Sequence, residues 1–277
     1  MDKKYIRFPN FKIKALTLNY DDAERQDKRL ISIMQKYGLK GTFNINSGFI
    51  GVDEYKGVEK GRMSVEEVYN LYSSSGMEVA VHGYKHLDLA SVDKETALND
   101  VAKDKKELEK IFGKTINGMA YAYGGCNEEV IKILNQCGIS YSRLATSTES
   151  FDLPIDWLRF SATCHHNNKK LMELAEKFIK LDKNDCKEPK FFCLWGHSYE
   201  FDKDDNWLVI ENFAKYVGNR EDIWYATTGE IFKYLQACDK LDLSLENKKA
   251  YNPTGIDLYI NYLGKDLLIP AGTTIEL

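Results

Sequence analysis

The sequence predicts an α/β protein built on a parallel sheet. Short apolar runs alternate with amphipathic segments through most of the 277 residues, the order expected of βα units in series. Seven or eight such units fit before about Leu241, which suits either a closed barrel or a doubly wound sheet. After Leu241 the rhythm changes to strand-type patterning broken by turn residues, with no helix. Residues 1–242 are therefore expected to form the main domain and 243–277 a small C-terminal β extension.

Ala15–Tyr20 reads as the first strand. Asp27–Tyr37 follows as a helix, with Leu30, Ile31, Ile33 and Met34 at helical spacing and Gly38 as its stop. Gly41–Asn46 is the second strand. Ser64 with Glu67 three residues on is a capping box that opens the helix Val65–Tyr72. Met77–Val81 is the third strand. Asp93 starts a long charged helix that reaches Phe112 and closes at Gly113; its Lys103–Lys106 run reads as a solvated face. Ile116–Ala122, Ile139–Arg143, Phe191–Gly196 and Ile223–Thr227 read as strands. Asn127–Gln136, Lys169–Leu181, Trp207–Val217 and Gly229–Leu241 read as helices, and Ala145–Asp156 as a loop.

Composition narrows the function classes. Lys and Arg number 38 against 42 Asp and Glu, a net charge of −4. That balance lacks the basic face of a sequence-independent nucleic-acid binder, so no nucleic-acid partner is expected. No segment approaches the ~18 apolar residues of a membrane span, and the first residues, Met1–Arg7, lack the apolar core of a secretory signal. The chain as written is expected to be cytoplasmic and without a membrane partner. Its six cysteines show no CxxC pattern and read as reduced, buried side chains.

In parallel α/β architectures ligands bind at the carboxyl ends of strands. The first strand ends in Tyr20-Asp21-Asp22, the third in His82-Gly83-Tyr84-Lys85-His86, the fourth in Tyr121-Ala122-Tyr123, and the seventh in Trp195-Gly196-His197-Ser198-Tyr199-Glu200. Asp21-Asp22 taken alone also suits a helix cap. His82 and His86, four apart, can reach one ion when they share a turn, and with Asp22 they make a His₂Asp set with open positions, the pattern of a catalytic metal. His197 follows an apolar strand. Burial there lowers its pKa, and Glu200, Asp202 or Asp156 would raise it, which suits a general acid or a core histidine alike. His165 and His166 lie in a less regular stretch and are candidates to line the cleft. Tyr20, Tyr84, Tyr121, Trp195, Tyr199 and Trp207 are expected either as an aromatic rim for sugar faces or as core.

In this order the segments resemble the NodB-homology polysaccharide deacetylases, carbohydrate esterase family 4, over about residues 12–235. The family's Thr-Phe-Asp-Asp-Gly is met by Asn19-Tyr20-Asp21-Asp22-Ala23, and its His-Ser/Thr-x-x-His by His82–His86. Ala120-Tyr121-Ala122-Tyr123-Gly124 matches Arg-Pro-Pro-Tyr-Gly loosely. Leu194–His197 matches the final apolar strand that ends in histidine. The resemblance implies a distorted (β/α)₇ barrel and metal-dependent hydrolysis of acetyl groups from sugars, oligosaccharides or polysaccharides. Carried over by position, it implies Asp22, His82 and His86 as metal ligands, Asp21 as base, the Tyr123 N–H as oxyanion donor and His197 as acid. The ion would be zinc first, with cobalt, nickel and manganese also suited to such a set.

Three departures bear on this. Gly83 stands for the family's hydroxyl residue, Ala23 for its glycine, and Ala120 for the arginine that orients the base. Arg143, at the end of the next strand, is expected to supply the missing charge, with Arg159 as the competing candidate. Two rival functions follow from the same residues: a metal amidohydrolase acting on a small amide, imide or ureide, and a non-catalytic sugar-binding relative.

Overall fold

Strand β2 (Lys14–Asp21) is buried at all eight positions and organises the sheet. The computed structural model describes residues 5–52, 62–182, 186–246 and 248–277, and two short paired strands between the first two spans. Before β2 comes β1 (Ile6–Arg7). After it follow α1 (Asp27–Lys36), β3 (Gly41–Ile45), the pair β4 (Glu54–Tyr55) and β5 (Val58–Glu59), α2 (Val65–Ser75), β6 (Glu78–Val81) and α3 (Lys94–Phe112). Next are β7 (Gly118–Ala120), α4 (Glu128–Gln136), β8 (Tyr141–Ser147), β9 (Phe160–Ala162), β10 (Cys164–His165), α5 (Leu171–Lys180) and β11 (Lys190–His197). The units end with α6 (Tyr199–Lys203), α7 (Leu208–Val217), β12 (Ile223–Tyr225) and α8 (Thr228–Asp239). Five strands close the chain: β13 (Asp242–Leu243), β14 (Lys249–Tyr251), β15 (Leu258–Tyr262), β16 (Lys265–Ile269) and β17 (Thr274–Glu276).

The main sheet runs β10-β11-β2-β3-β6-β7-β8-β9, parallel at every pairing, with β12 laid beside the first half of β2. β9 and β10 stand at opposite ends of that path and are one residue apart in the chain. Residues 160–165 thus pair with β8 at one end and with β11 at the other, and the path returns to itself as a seven-membered ring. This is the α/β barrel with distorted closure that the sequence led us to expect.

Local chemistry explains the helices. Leu30, Ile31, Ile33 and Met34 are all buried on α1. Ser64 Oγ accepts from Glu67 N at 3.2 Å and Glu67 returns the bond to Ser64 N, completing the box on α2. Asp93 caps α3 through Thr96 N. Three expectations need correction. The stretch at 145–156 is a loop only in part, since β8 continues to Ser147. The irregular stretch before His166 contributes the closing strands. Within the Lys103–Lys106 run, Asp104 is wholly buried, not solvated.

The C-terminal strands do not stand apart from the first residues. β15 pairs with β1 and with β16, while β14 pairs with β13 and β17. Ile6, Phe8, Leu258, Ile260 and Ile269 share one apolar cluster with Tyr234 and Cys238 of α8. Tyr234 is the pin: its hydroxyl donates to Arg7 O at 2.5 Å and accepts from Tyr259 N at 3.0 Å. Among the described residues no helix is long and apolar enough to cross a membrane. Tyr234→Phe strips partners from one buried and one partly buried backbone group and is expected to cost about 1–3 kcal/mol, read as a lower denaturation midpoint at unchanged m-value.

Candidate active site

Five strands supply the site. Asp21 is the last residue of β2, and Asn44 on β3, His82 after β6, Arg143 on β8 and His197 at the end of β11 surround it. The two flanking strands set the level: Asp21 is in register with Asn44 and with His197. Arg143 Nη2 donates to Asp21 Oδ2 at 2.5 Å, and Asn44 Nδ2 donates to Oδ1 at 2.7 Å. Arg143 Nε also donates to Asn19 Oδ1 at 2.8 Å, and the guanidinium lies 4.5 Å from the centre of the Trp195 ring. Arg143 is fully buried. Arg159, the competing candidate, instead pairs with Glu128 and Asp156 at the surface. Burial alone would raise the Asp21 pKa; Arg143, then His82 and His197, more than reverse this and hold it well below the usual carboxylate range.

Ala120 and Arg143 are register partners on β7 and β8. The positive charge missing from the third motif therefore stands one strand over at the same level of the barrel. Ala120 instead serves His82, whose Nδ1 donates a hydrogen bond to the Ala120 carbonyl at 2.9 Å. A carbonyl only accepts, so the neutral tautomer selected here carries its proton on Nδ1 and its lone pair on Nε2. Nε2 is buried, has no hydrogen-bond partner, and faces Asp22 Oδ1 at 3.6 Å. His86 Nε2 lies 3.5 Å from the same oxygen. Burial, then His82, lower the His86 pKa against the pull of Asp22, so the imidazole is neutral at pH 7. An orphaned lone pair, a second neutral imidazole and a carboxylate converging within 4.8 Å fit a divalent cation.

The loops that carry these groups are held in uncommon backbone conformations. Asp22, Ala23, His86 and Tyr123 all have positive φ, the kind of strain that persists only where surroundings over-determine it. Ala23, at φ 52°, adopts the left-handed turn that suits the glycine it replaces. Arg62 Nη1 secures this turn by donating to Asp22 O at 2.6 Å and pairing with Glu24 at 2.9 Å. Gly83 has φ +83°, and a Cβ there would stand 2.6 Å from Asp100 Oδ2. A side chain at this position would strain the turn and push Asp100 aside.

Groups beneath the histidine loop escaped sequence reading. Asn46 Nδ2 donates to the carbonyls of His82 and Gly83 at 2.8 and 2.6 Å. Asp104 accepts from His82 N at 3.0 Å and from Ser47 N at 2.7 Å, and Asp100 accepts from Lys85 N at 2.8 Å. Burial pushes the Asp104 pKa up to about 7, with the Ser47 bonds opposing. Both acids sit on the buried face of a helix whose composition looks solvated; the i, i+4 spacing of Asp100 and Asp104 was the available signal.

His197 Nε2 points toward Asp21 Oδ2 at 3.9 Å, and Nδ1 lies 3.4 Å from Glu200 Oε1. Burial lowers its pKa, but Glu200, then Asp21 and Asp22, raise it to about 9. Of the three acids considered for this role, Glu200 is the one in place. Asp202 bonds Trp207 and Gln26, and Asp156 pairs with Arg159. His165 and His166 gather on the same Glu200. Tyr123 is 65% exposed, its ring edges against His86 at 4.7 Å, and its N–H enters no backbone hydrogen bond among the described residues. The expected rim is smaller than the sequence suggested: Tyr20, Tyr121 and Trp207 are core, while Tyr84, Trp195 and Tyr199 stay partly accessible.

Comparison with known proteins agrees with this frame. Residues 9–142, just under half of the chain, match the polysaccharide deacetylase family profile. A poly-β-1,6-N-acetyl-D-glucosamine N-deacetylase of Staphylococcus aureus is 24% identical over 148 residues, 50% of this chain and 49% of that protein. The chain thus spans about half the length of the curated relatives it matches. A Mycobacterium smegmatis protein assigned to the polysaccharide deacetylases superposes with a TM-score of 0.62 at 16% identity, covering 85% of this chain and 94% of its own. The Puue allantoinase reaches the same TM-score at 12% identity, covering 82% and 91%. At these identities the structural likeness is one of fold. For the Gly83 contact, Gly83→Ser is expected to lower the melting temperature and loosen metal retention together, measured by thermal melts and metal content after dialysis.

Proposed function

We propose that the chain, which matches the polysaccharide deacetylase family over residues 9–142, is a member of that family and hydrolyses acetyl groups from N-acetylated or O-acetylated sugars, oligosaccharides or polysaccharides with a divalent metal, zinc first. The observation that carries this is Asp21, fixed by Arg143, beside the converging Asp22, His82 and His86. Asp22, His82 and His86 would hold the ion. Such an ion supplies Lewis-acid polarisation and a water of lowered pKa, ~7 in favourable zinc sites. Asp21, its pKa held low by Arg143, accepts the proton of the attacking water. So weak a base acts by position, which is what Arg143 and Asn44 secure. The Tyr123 N–H donates to the developing oxyanion, a contribution typically worth about 3 kcal/mol. His197 delivers a proton from Nε2 to the leaving amine or alcohol. Trp195, Tyr199 and Tyr123 offer accessible rings to the sugar.

The direct test is acetate release from N-acetylated oligosaccharides, beside a panel of small amides and ureides, after chelation and again after zinc is restored. Release lost and regained on the sugars alone supports the reading. Turnover confined to the small amides or ureides replaces the substrate, and no turnover with metal fully loaded removes the activity.

Two residue tests follow. Arg143→Lys keeps a charge but loses the fork to Asn19 and Asp21, and is expected to cut turnover about 10²-fold with metal content unchanged; unchanged turnover would free Arg143 of any role. Arg143→Ala also leaves a buried carboxylate unpaired, at about 3–5 kcal/mol of stability. His197→Ala is expected to cost about 10²–10⁴-fold on amides and far less on activated esters, whose leaving groups need no proton.

The pH profile tests Glu200. His197 donates only while protonated, so turnover falls as pH rises through its pKa, raised to about 9 in the metal-free chain. Charge on a bound cation lowers that value. Glu200→Gln removes the largest influence that raises it and is expected to move the alkaline limb to lower pH, leaving the acid limb in place.

A further inference from the structure

A second set of metal-type donors lies on the far side of His197. His165 Nε2 is 3.2 Å from Glu200 Oε2 and His197 Nδ1 is 3.4 Å from Glu200 Oε1. One ligand atom from each of these three residues falls within 4.8 Å of the other two. His166, wholly buried, brings its Nε2 to 2.9 Å from Glu200 Oε2.

Three imidazoles crowd one carboxylate at ion-pair distance, but the contacts are poorly aligned as hydrogen bonds. His197 Nδ1, Glu200 Oε2 and both ring nitrogens of His166 are buried without a hydrogen-bond partner, although the separations are short. Their donor and acceptor directions miss one another. Donors that share an ion aim at the gap between them, and atoms ~2.0–2.1 Å from a tetrahedral zinc stand ~3.4 Å apart. The Asp22, His82 and His86 set has the same spacing, 3.5 and 3.6 Å. We propose that His165, His197 and Glu200 form a second divalent-cation site, with His197 shared between it and the reaction centre.

The surroundings are built for it. His166 is wedged between Tyr20, at 5.7 Å and 9° between planes, and Phe201, at 4.2 Å. A Cβ on residue 196 would meet His166 Nδ1 at 2.1 Å, so Gly196 is what lets the ring approach. His166 braces the Glu200 carboxylate from behind, its Nε2 at 2.9 Å from Oε2. Asn167 N donates to His165 Nδ1 at 3.1 Å. Coordination through His165 Nε2 moves the ring proton to Nδ1 and gives up that bond, a small loss beside a metal–imidazole bond. Two imidazoles and a carboxylate suit zinc or a neighbouring first-row ion.

Occupancy changes His197. The ion takes the Nδ1 lone pair and displaces the proton that Glu200 otherwise favours there. The ring is then no longer an imidazolium and does not give up a proton from Nε2 near neutral pH. Excess cation therefore inhibits the step that needs an acid. This effect rests on the role proposed above for His197; the binding does not.

The full chain, stripped with chelator, is titrated with zinc chloride by calorimetry and elemental analysis. Two equivalents are expected. Asp22→Asn removes one, and His165→Ala or Glu200→Gln removes the other, with folding checked by circular dichroism and His165→Gln as a milder variant. In turnover, excess zinc slows amide cleavage while an activated acetyl ester is spared, and His165→Gln raises the inhibitory zinc concentration at least about tenfold. A single equivalent in the unaltered chain, or two that survive both His165→Gln and Glu200→Gln, overturns the site. Should the chain prove inactive on acetylated sugars, the stoichiometry still decides it.

Discussion

The buried pair between Arg143 and Asp21 is the constraint on which the site depends. Two charges removed from water are expensive unless every remaining donor and acceptor is met. Here the second carboxylate oxygen is met by Asn44, and the guanidinium reaches Asn19 and stacks on Trp195. The pair draws β2, β3, β8 and β11 to a common level. Once Asp21 is fixed, its neighbour Asp22 turns into the left-handed region and away, toward His82 and His86. One carboxylate pairs with an arginine and the next faces two imidazoles, although the two are adjacent in the chain.

Each imidazole is likewise given its role by a partner on its other side. The Ala120 carbonyl fixes the proton of His82 and leaves Nε2 bare. Glu200 stands behind His197 and favours a proton there. Both rings bring Nε2 to 3.9 Å from the Asp21 carboxylate; in the function proposed above one ligates and the other donates. The difference lies wholly in what stands behind them, a neutral carbonyl against a charged acid.

Much of this was legible in the sequence because it is local. The βα alternation, the capping box at Ser64, and the placement of Asp21-Asp22, His82, His86 and His197 at strand ends are all short-range patterns. Arg143 was legible as a charge at the end of an apolar run. What stayed hidden is non-local or brief. Residues 160–165 close the ring in two pieces of three and two residues, too short to show a period. β1 pairs with β15 some 250 positions on, which no local pattern encodes. Asp100 and Asp104 are buried in a helix rich in lysine, where composition points the wrong way. His165 and His166 acquire meaning only when β10 lands beside β11 and brings them to Glu200.

The exchange between Ala120 and Arg143 has a consequence for how such chains are found. Along a linear pattern the third motif carries Ala120 where the resemblance leads one to expect an arginine. Counted by height around the barrel, the cation stands one stave to the side and reaches Asp21 from there. Completeness in this architecture is a property of the ring's layers, and a test for it has to be written in strand register, not in sequence spacing.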